Sequence, residues 1–179
     1  MKLRPLAAMV VTLGLLLAST LGSATVSAAT QAPKEGTPIA TMTASRLGSK
    51  WVETIYEGTS LKRVLTPLGL GHYSMTQMPG EIGNFAVAGH RAGSGGPFRN
   101  IDKFRKGDLV VVKTKQATFT YRYLQTKVVE PSEVEILLPE PSGLTVPRKS
   151  DSLLTLQTCT PIHVNTKRLI VWFELVKKN

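Results

Sequence analysis

Cysteine is nearly absent from this 179-residue chain, Cys159 being the only one. A disulfide within the chain is excluded, and so is a zinc site built on paired thiolates. Histidine is scarce too: His72, His90 and His163 are the full set. No His-Glu-x-x-His motif and no Gly-rich phosphate-binding loop occurs, so neither a metal nor a cofactor is expected. Acidic residues number 12 against 22 Lys and Arg, and they are dispersed, with no evident acid–base pair of carboxylates. Gly and Pro are scattered and no heptad or internal repeat persists, which excludes collagen, coiled coil and solenoid. An apolar content of 42% with 19% charge excludes disorder. What remains is chain enough for one domain with a proper core.

The net charge of +10 points to an anionic partner: nucleic acid, an acidic membrane face or an acidic wall polymer. The N-terminus narrows that choice. Lys2 and Arg4 are the only charges before Lys34, and an apolar, small-residue stretch lies between. A short basic head followed by such a stretch is an export signal. Residues 1–29 read either as an uncleaved signal anchor, a single hydrophobic membrane helix, or as a cleaved signal peptide. In both cases residues 34–179 lie outside the cytoplasm, with Lys2 and Arg4 left inside. Localisation is therefore the cell membrane with an extracellular domain, or secretion, and no nucleic acid partner is expected.

Residues 30–50, rich in Thr, Ala, Ser, Gly and Pro, read as a linker or stalk. The folded domain is expected over 51–179. A chain beginning near Arg46 should then keep its stability, since the stalk has little to bury. Within the domain, Trp51–Ile55 is strand-like, Leu68–His72 is too Gly-rich for a helix, and Asn84–Gly89 is a compact apolar run suited to a buried strand. Leu109–Lys113 and Thr118–Val129 follow, the second placing Phe119, Tyr121 and Tyr123 on one face. Leu153–Thr158 and Leu169–Val176 complete the strands. Short helical turns are expected within Phe98–Phe104 and Ser132–Leu138. This is an all-β pattern, sandwich or closed barrel. The basic stretch Arg99–Lys127 reads as a solvated surface or a face toward anionic lipid or wall polymer.

The candidate nucleophile is Cys159, in Thr155-Leu-Gln-Thr-Cys159-Thr-Pro161. It sits at the end of an apolar strand, just before a Pro that stops pairing. The bland alternative is a small buried hydrophobe, where most free Cys belong. A reactive Cys needs a His as proton partner. His90 ends its own strand, in Val87-Ala-Gly-His90-Arg91, after small residues that let another segment come close. Arg168 opens the final strand, and a guanidinium returned to the thiol there suits an oxyanion. His72 and His163 are the competing imidazoles.

Thr155-Leu-Gln-Thr-Cys159 with Arg168 nine residues on resembles the TLxTC…R signature of sortases. The His of Ala88-Gly-His90-Arg91 matches the sortase catalytic His. Gly71–Arg91, Cys159-Thr-Pro161 and Arg168-Leu-Ile-Val171 resemble class E members. Two positions depart: Thr160 stands where His often precedes the Pro, and Gly93-Ser94-Gly95 where the loop often carries an aromatic. The resemblance implies a closed eight-stranded β-barrel and a cysteine transpeptidase. In that role Cys159 would be the nucleophile, His90 the general acid or base, and Arg168 the oxyanion and substrate clamp. It implies, as partners, secreted proteins bearing a sorting signal of LAxTG or LPxTG type, cut between Thr and Gly. It implies a lipid-linked peptidoglycan precursor amine as acceptor. The rival readings are a secreted cysteine protease hydrolysing the same thioester, an exported β-barrel binding module with an inert Cys, and, within the family, a pilin polymerase.

Overall fold

The structure is a computed structural model that describes residues 32–179. The export segment expected at 1–29 lies outside the described residues.

Alternating apolar residues and frequent turns give eight strands. They are β1 (Pro38–Thr43), β2 (Val52–Glu57), β3 (Leu70–His72), β4 (Gly83–Ala88), β5 (Leu109–Lys113), β6 (Thr118–Val129), β7 (Ser152–Thr160) and β8 (Lys167–Lys178). They close into a barrel in the order β1-β2-β3-β4-β7-β8-β6-β5. Pairing is antiparallel except for β2 with β3 and β4 with β7. The closed eight-stranded barrel is the expected fold. Single helical turns at Ile101–Lys103 and Val134–Leu137 fall where the sequence places them. Two more, at Ser45–Leu47 and Leu61–Leu65, are not anticipated by the sequence reading; the second is started by Ser60, whose hydroxyl accepts from the Arg63 N–H.

The linker expected over 30–50 is corrected by β1. Pro38–Thr43 pairs with β2 on one side and β5 on the other. Ala40, Met42 and Ala44 are buried, so the period-2 pattern of a half-buried strand is present under a Thr- and Ala-rich composition. Arg46, just beyond β1, forks onto the Asp108 carboxylate at 2.7 and 2.8 Å. That contact holds the Asp108 carboxyl below its ordinary value.

Side chains alternate between the barrel interior and its outer surface, and both faces of the central strands are covered. Phe85, Val87, Leu154, Leu156, Val171 and Phe173 point inward. The edge of Phe104 meets Phe173 at 4.9 Å between centroids. Outside, Ile170 and Trp172 of β8 are capped by Ile136 from the β6–β7 connection. On the other flank, Val64 and Leu65 cap Ala88 at the end of β4. Strands buried on both faces read as nearly continuous apolar runs, which is why β4, β7 and β8 stand out in the sequence. Between the two caps a strip of the outer β4–β7–β8 surface stays open.

Candidate active site

Cys159 points into that open strip. Register makes the placement easy to follow. β4 and β7 pair in parallel with a constant offset, from Gly83↔Ser152 to Ala88↔Gln157. Extended two residues past the end of β4, the same offset sets His90 opposite Cys159; the Gly89 N–H bonds the Gln157 carbonyl at 3.1 Å on the way, and both side chains line one hollow. On the other side of Cys159, the antiparallel β7–β8 ladder pairs it directly with Arg168. Cys159 and Arg168 thus share a rung of the β7–β8 ladder, and His90, two residues past the end of β4, extends its line. β7 continues through Thr160, so Cys159 sits inside the last pair of its strand, not just past the end.

Side chains further down the strip hold it in shape. Thr155 donates its hydroxyl to the Asn84 side-chain carbonyl at 2.6 Å. The Asn84 amide in turn donates to the Ile136 and Leu138 carbonyls at 3.1 and 3.2 Å. Asn84 and Thr155 are fully buried. This network ties the β6–β7 cap to the floor that carries Cys159, and all of its buried polar groups are satisfied.

Two hollows meet at the rung. One, of about 210 Å³, is lined by Leu61, Leu65, Gly89, His90, Cys159 and Arg168 among others. The second, of about 200 Å³, lies against Glu130, Glu133, Val134, Ile136 and Leu137. Tyr73, Gln157 and Arg168 belong to both, so the hollows form one continuous groove that passes Cys159. Its walls carry residues of both caps, Leu61 and Leu65 on one side and Ile136 and Leu137 on the other. None of Gly93–Gly96 lines either hollow.

Each functional group is held differently. Cys159 is half-buried and free. The His90 ring has Thr66 Oγ1 3.4 Å from its Nε2, a long contact that steadies the imidazole without locking it. Arg168 gives Nη1 to the Asn165 and Lys167 carbonyls at 3.2 and 3.1 Å. No described residue takes its Nε or Nη2, so these donors remain for a ligand in the groove. Gly89 is needed for packing: a Cβ there would sit 2.6 Å from Leu70 Cδ2 and 2.8 Å from Phe98 Cδ2.

Tyr73, Thr66 and Gln157 are site residues that the sequence reading leaves without a role. Tyr73 follows β3 and lines both hollows. Burial pushes its phenol up, partly offset by the Arg168 guanidinium and a hydrogen bond with Gln157. It stays a neutral hydroxyl facing the rung. Only its place beside His72, in Gly71-His-Tyr73, hinted at it. The two competing imidazoles go elsewhere. His72 is buried against Glu57, Nδ1 to Oε2 2.8 Å, on the β2–β3 rung. His163 is exposed in the β7–β8 loop, at φ +68°, and lines neither hollow.

A family model described as the sortase domain matches residues 42–176. The chain is 41% identical over 135 residues to sortase SrtE1 of Streptomyces coelicolor, covering 71% of this chain and 38% of that protein. It is 37% identical over 131 residues to sortase SrtE2 of the same organism, covering 69% of this chain and 50% of that one. This chain therefore spans half the length of those relatives or less. Among solved structures it resembles sortase E from Streptomyces avermitilis, with 39% identity, TM-score 0.73, and coverage of 82% of this chain and 93% of that one. It also resembles sortase E1 from S. coelicolor with a tripeptide in the active site, with 36% identity, TM-score 0.74, and coverage of 80% and 91%.

Proposed function

This chain belongs to the sortase family, in its class E branch by the relatives it resembles, and from that premise we propose that it is a cysteine transpeptidase that cuts a sorting signal between Thr and Gly. The observation that carries the reading is the convergence of His90, Cys159 and Arg168 on one hollow, with Cys159 and Arg168 paired directly across β7 and β8.

Each residue takes a role from its place in that hollow. The Cys159 sulfur, as thiolate, attacks the Thr carbonyl carbon of the bound signal. The carbonyl oxygen becomes an oxyanion, and the unused Arg168 donors stabilise it. The C–N bond to Gly breaks, His90 protonates the departing amine, and the Thr acyl group remains on Cys159 as a thioester. An acceptor amine then attacks that thioester. His90 removes its proton, a new amide forms and the thiolate leaves. No metal or cofactor enters this cycle.

The acceptor that fits is an amine of a lipid-linked peptidoglycan precursor, and the substrates are secreted proteins that carry the signal. The catalytic domain then works outside the cytoplasm, held at the cell membrane by the basic head and apolar stretch of residues 1–29. The test is incubation with a Leu-Ala-Glu-Thr-Gly peptide, read by mass spectrometry. An acyl adduct on Cys159 that passes to hydroxylamine or a Gly-Gly amine supports the reading. Acid product alone, with amine in excess, makes the protein a protease instead. A Cys159 that never reacts makes it a binding module.

Arg168→Lys is expected to fail despite its kept charge. An ammonium is a point charge and cannot present a planar fork toward both a carbonyl and the loop. Turnover should drop by about 10²–10³-fold, the usual loss for an oxyanion donor. Near-normal turnover would reduce Arg168 to a surface cation.

A Leu-Ala-x-Thr-Gly peptide should be preferred over Leu-Pro-x-Thr-Gly. Proline fixes φ and bends the peptide, whereas alanine leaves it straighter and smaller. One or two methylenes in a pocket are worth about 10–200-fold. Competition of both peptides in one tube gives the ratio of kcat/KM directly. A ratio favouring the Pro peptide removes the class E preference and leaves the rung chemistry standing.

A further inference from the structure

The residues that flank Cys159 are fastened to the residues that flank His90. On the near side, the Thr158 hydroxyl donates to the Gly89 carbonyl at 2.7 Å. On the far side, Arg91 Nη1 donates to the Thr160 hydroxyl at 2.6 Å. Both contacts keep the offset of the β4–β7 pairing beyond its last rung, after β4 itself has ended at Ala88. They add to the Gly89 N–H bond to the Gln157 carbonyl and continue the join past His90 itself.

The Arg91 side is built with more than the join requires. Its side chain is 8% exposed. Besides Thr160, its guanidinium reaches the Asp102 carboxylate at 3.0 Å and the Arg99 carbonyl at 3.4 Å. Asp102 belongs to the helical turn whose neighbour Ile101 is fully buried, and Phe98, also buried, donates its N–H to the His90 carbonyl at 3.0 Å. One planar fork thus joins the loop after His90, a core-anchored turn and the residue after Cys159. A guanidinium suits this post, since its donors lie in fixed directions and its charge is answered by Asp102.

We propose that Arg91, acting through Thr160, is a positioning residue that sets the His90 ring against the Cys159 sulfur, and that it does not touch substrate. The proposal rests on the transpeptidase reading above. Its effect belongs in the chemical step: a proton partner displaced by about 1 Å costs up to ~10²-fold in rate, while the peptide groove is left as it was.

The test compares wild type with Thr160→Val, Thr160→Ser and Arg91→Lys. Val keeps the shape of Thr and removes the acceptor; Ser restores it. The substrate is a Leu-Ala-Glu-Thr-Gly peptide with hydroxylamine, and rates are divided by the number of Cys159 thiols that a labelling reagent counts in the folded protein. The expected result is a fall in kcat of about 10–100-fold for Thr160→Val and Arg91→Lys, with KM within about twofold. Thr160→Ser should stay within about twofold of wild type. Transfer by the wild type itself tests the transpeptidase reading, so the two ideas fail separately. Unchanged kcat in Thr160→Val, a rise in KM alone, or a loss that Ser does not repair overturns the proposal.

Discussion

Cys159→Ala is expected to yield a folded barrel with no measurable transfer. The fold side follows from the position of the thiol. Cys159 is half-buried and opens onto the groove, so removing its sulfur seals no cavity inside the core. The neighbouring contacts belong to Thr158 and Thr160, whose hydroxyls hold the strand end whatever stands between them. A stability change of about 1 kcal/mol or less is expected, in the range of surface substitutions. The activity side follows from covalent catalysis: without a nucleophile no thioester forms, and the two-step route is lost outright. The fall should be at least ~10⁴-fold, as when a nucleophile is deleted from a catalytic set acting as a unit. Cys159→Ser should be nearly as poor, because an alcohol ionises far less than a thiol. Melting temperature and product mass are the two readings. Measurable transfer by the Ala protein would sink the mechanism.

The second large effect concerns the other end of the chain. A protein beginning at Arg46 is expected not to fold, whereas one beginning at Ala32 should melt cooperatively. Removing residues before Arg46 deletes β1, leaving β2 and β5 with open edges on either side of the gap. Unpaired edges invite association with other chains. The fully buried Met42 goes with it, and its loss alone is comparable to a large-to-small core substitution of about 2–5 kcal/mol. Against a typical total of about 5–15 kcal/mol, adding the lost ladder and the lost closure leaves little. Soluble yield and thermal unfolding of the two chains decide the point. Equal melting temperatures would return residues 38–45 to the role of a stalk.

That reversal shows what the sequence conceals. β6 is legible because Phe119 and Tyr121 alternate with polar residues, and both prove buried. β1 is hidden because Pro-Ile-Ala-Thr-Met-Thr offers small and polar residues, and its inward set is only Ala40 and Met42. Pro38 looks like a breaker, yet it is tolerated at the first residue of a strand. Cys159, His90 and Arg168 are legible as types at strand ends. Their union is not: it depends on β4 lying beside β7 in parallel, a pairing with no local signature. Arg91 reads as one more cation in a basic chain until Asp102 and Thr160 are found around it. Tyr73 is likewise invisible as a wall, because what makes it one is a groove formed by segments distant in sequence.

The parallel join between β4 and β7 also governs when the chain becomes chemically competent. Cys159 and Arg168 meet across a β7–β8 hairpin and are brought together by neighbours in sequence. His90 reaches them only by closing a long excursion of chain through β5 and β6, the kind of non-local contact whose entropy cost must be met before it is rewarded. The β7–β8 hairpin alone therefore brings together only the thiol and the guanidinium, and the imidazole joins them through the β4–β7 pairing, so chemical competence is a property of the closed barrel and not of its C-terminal hairpin.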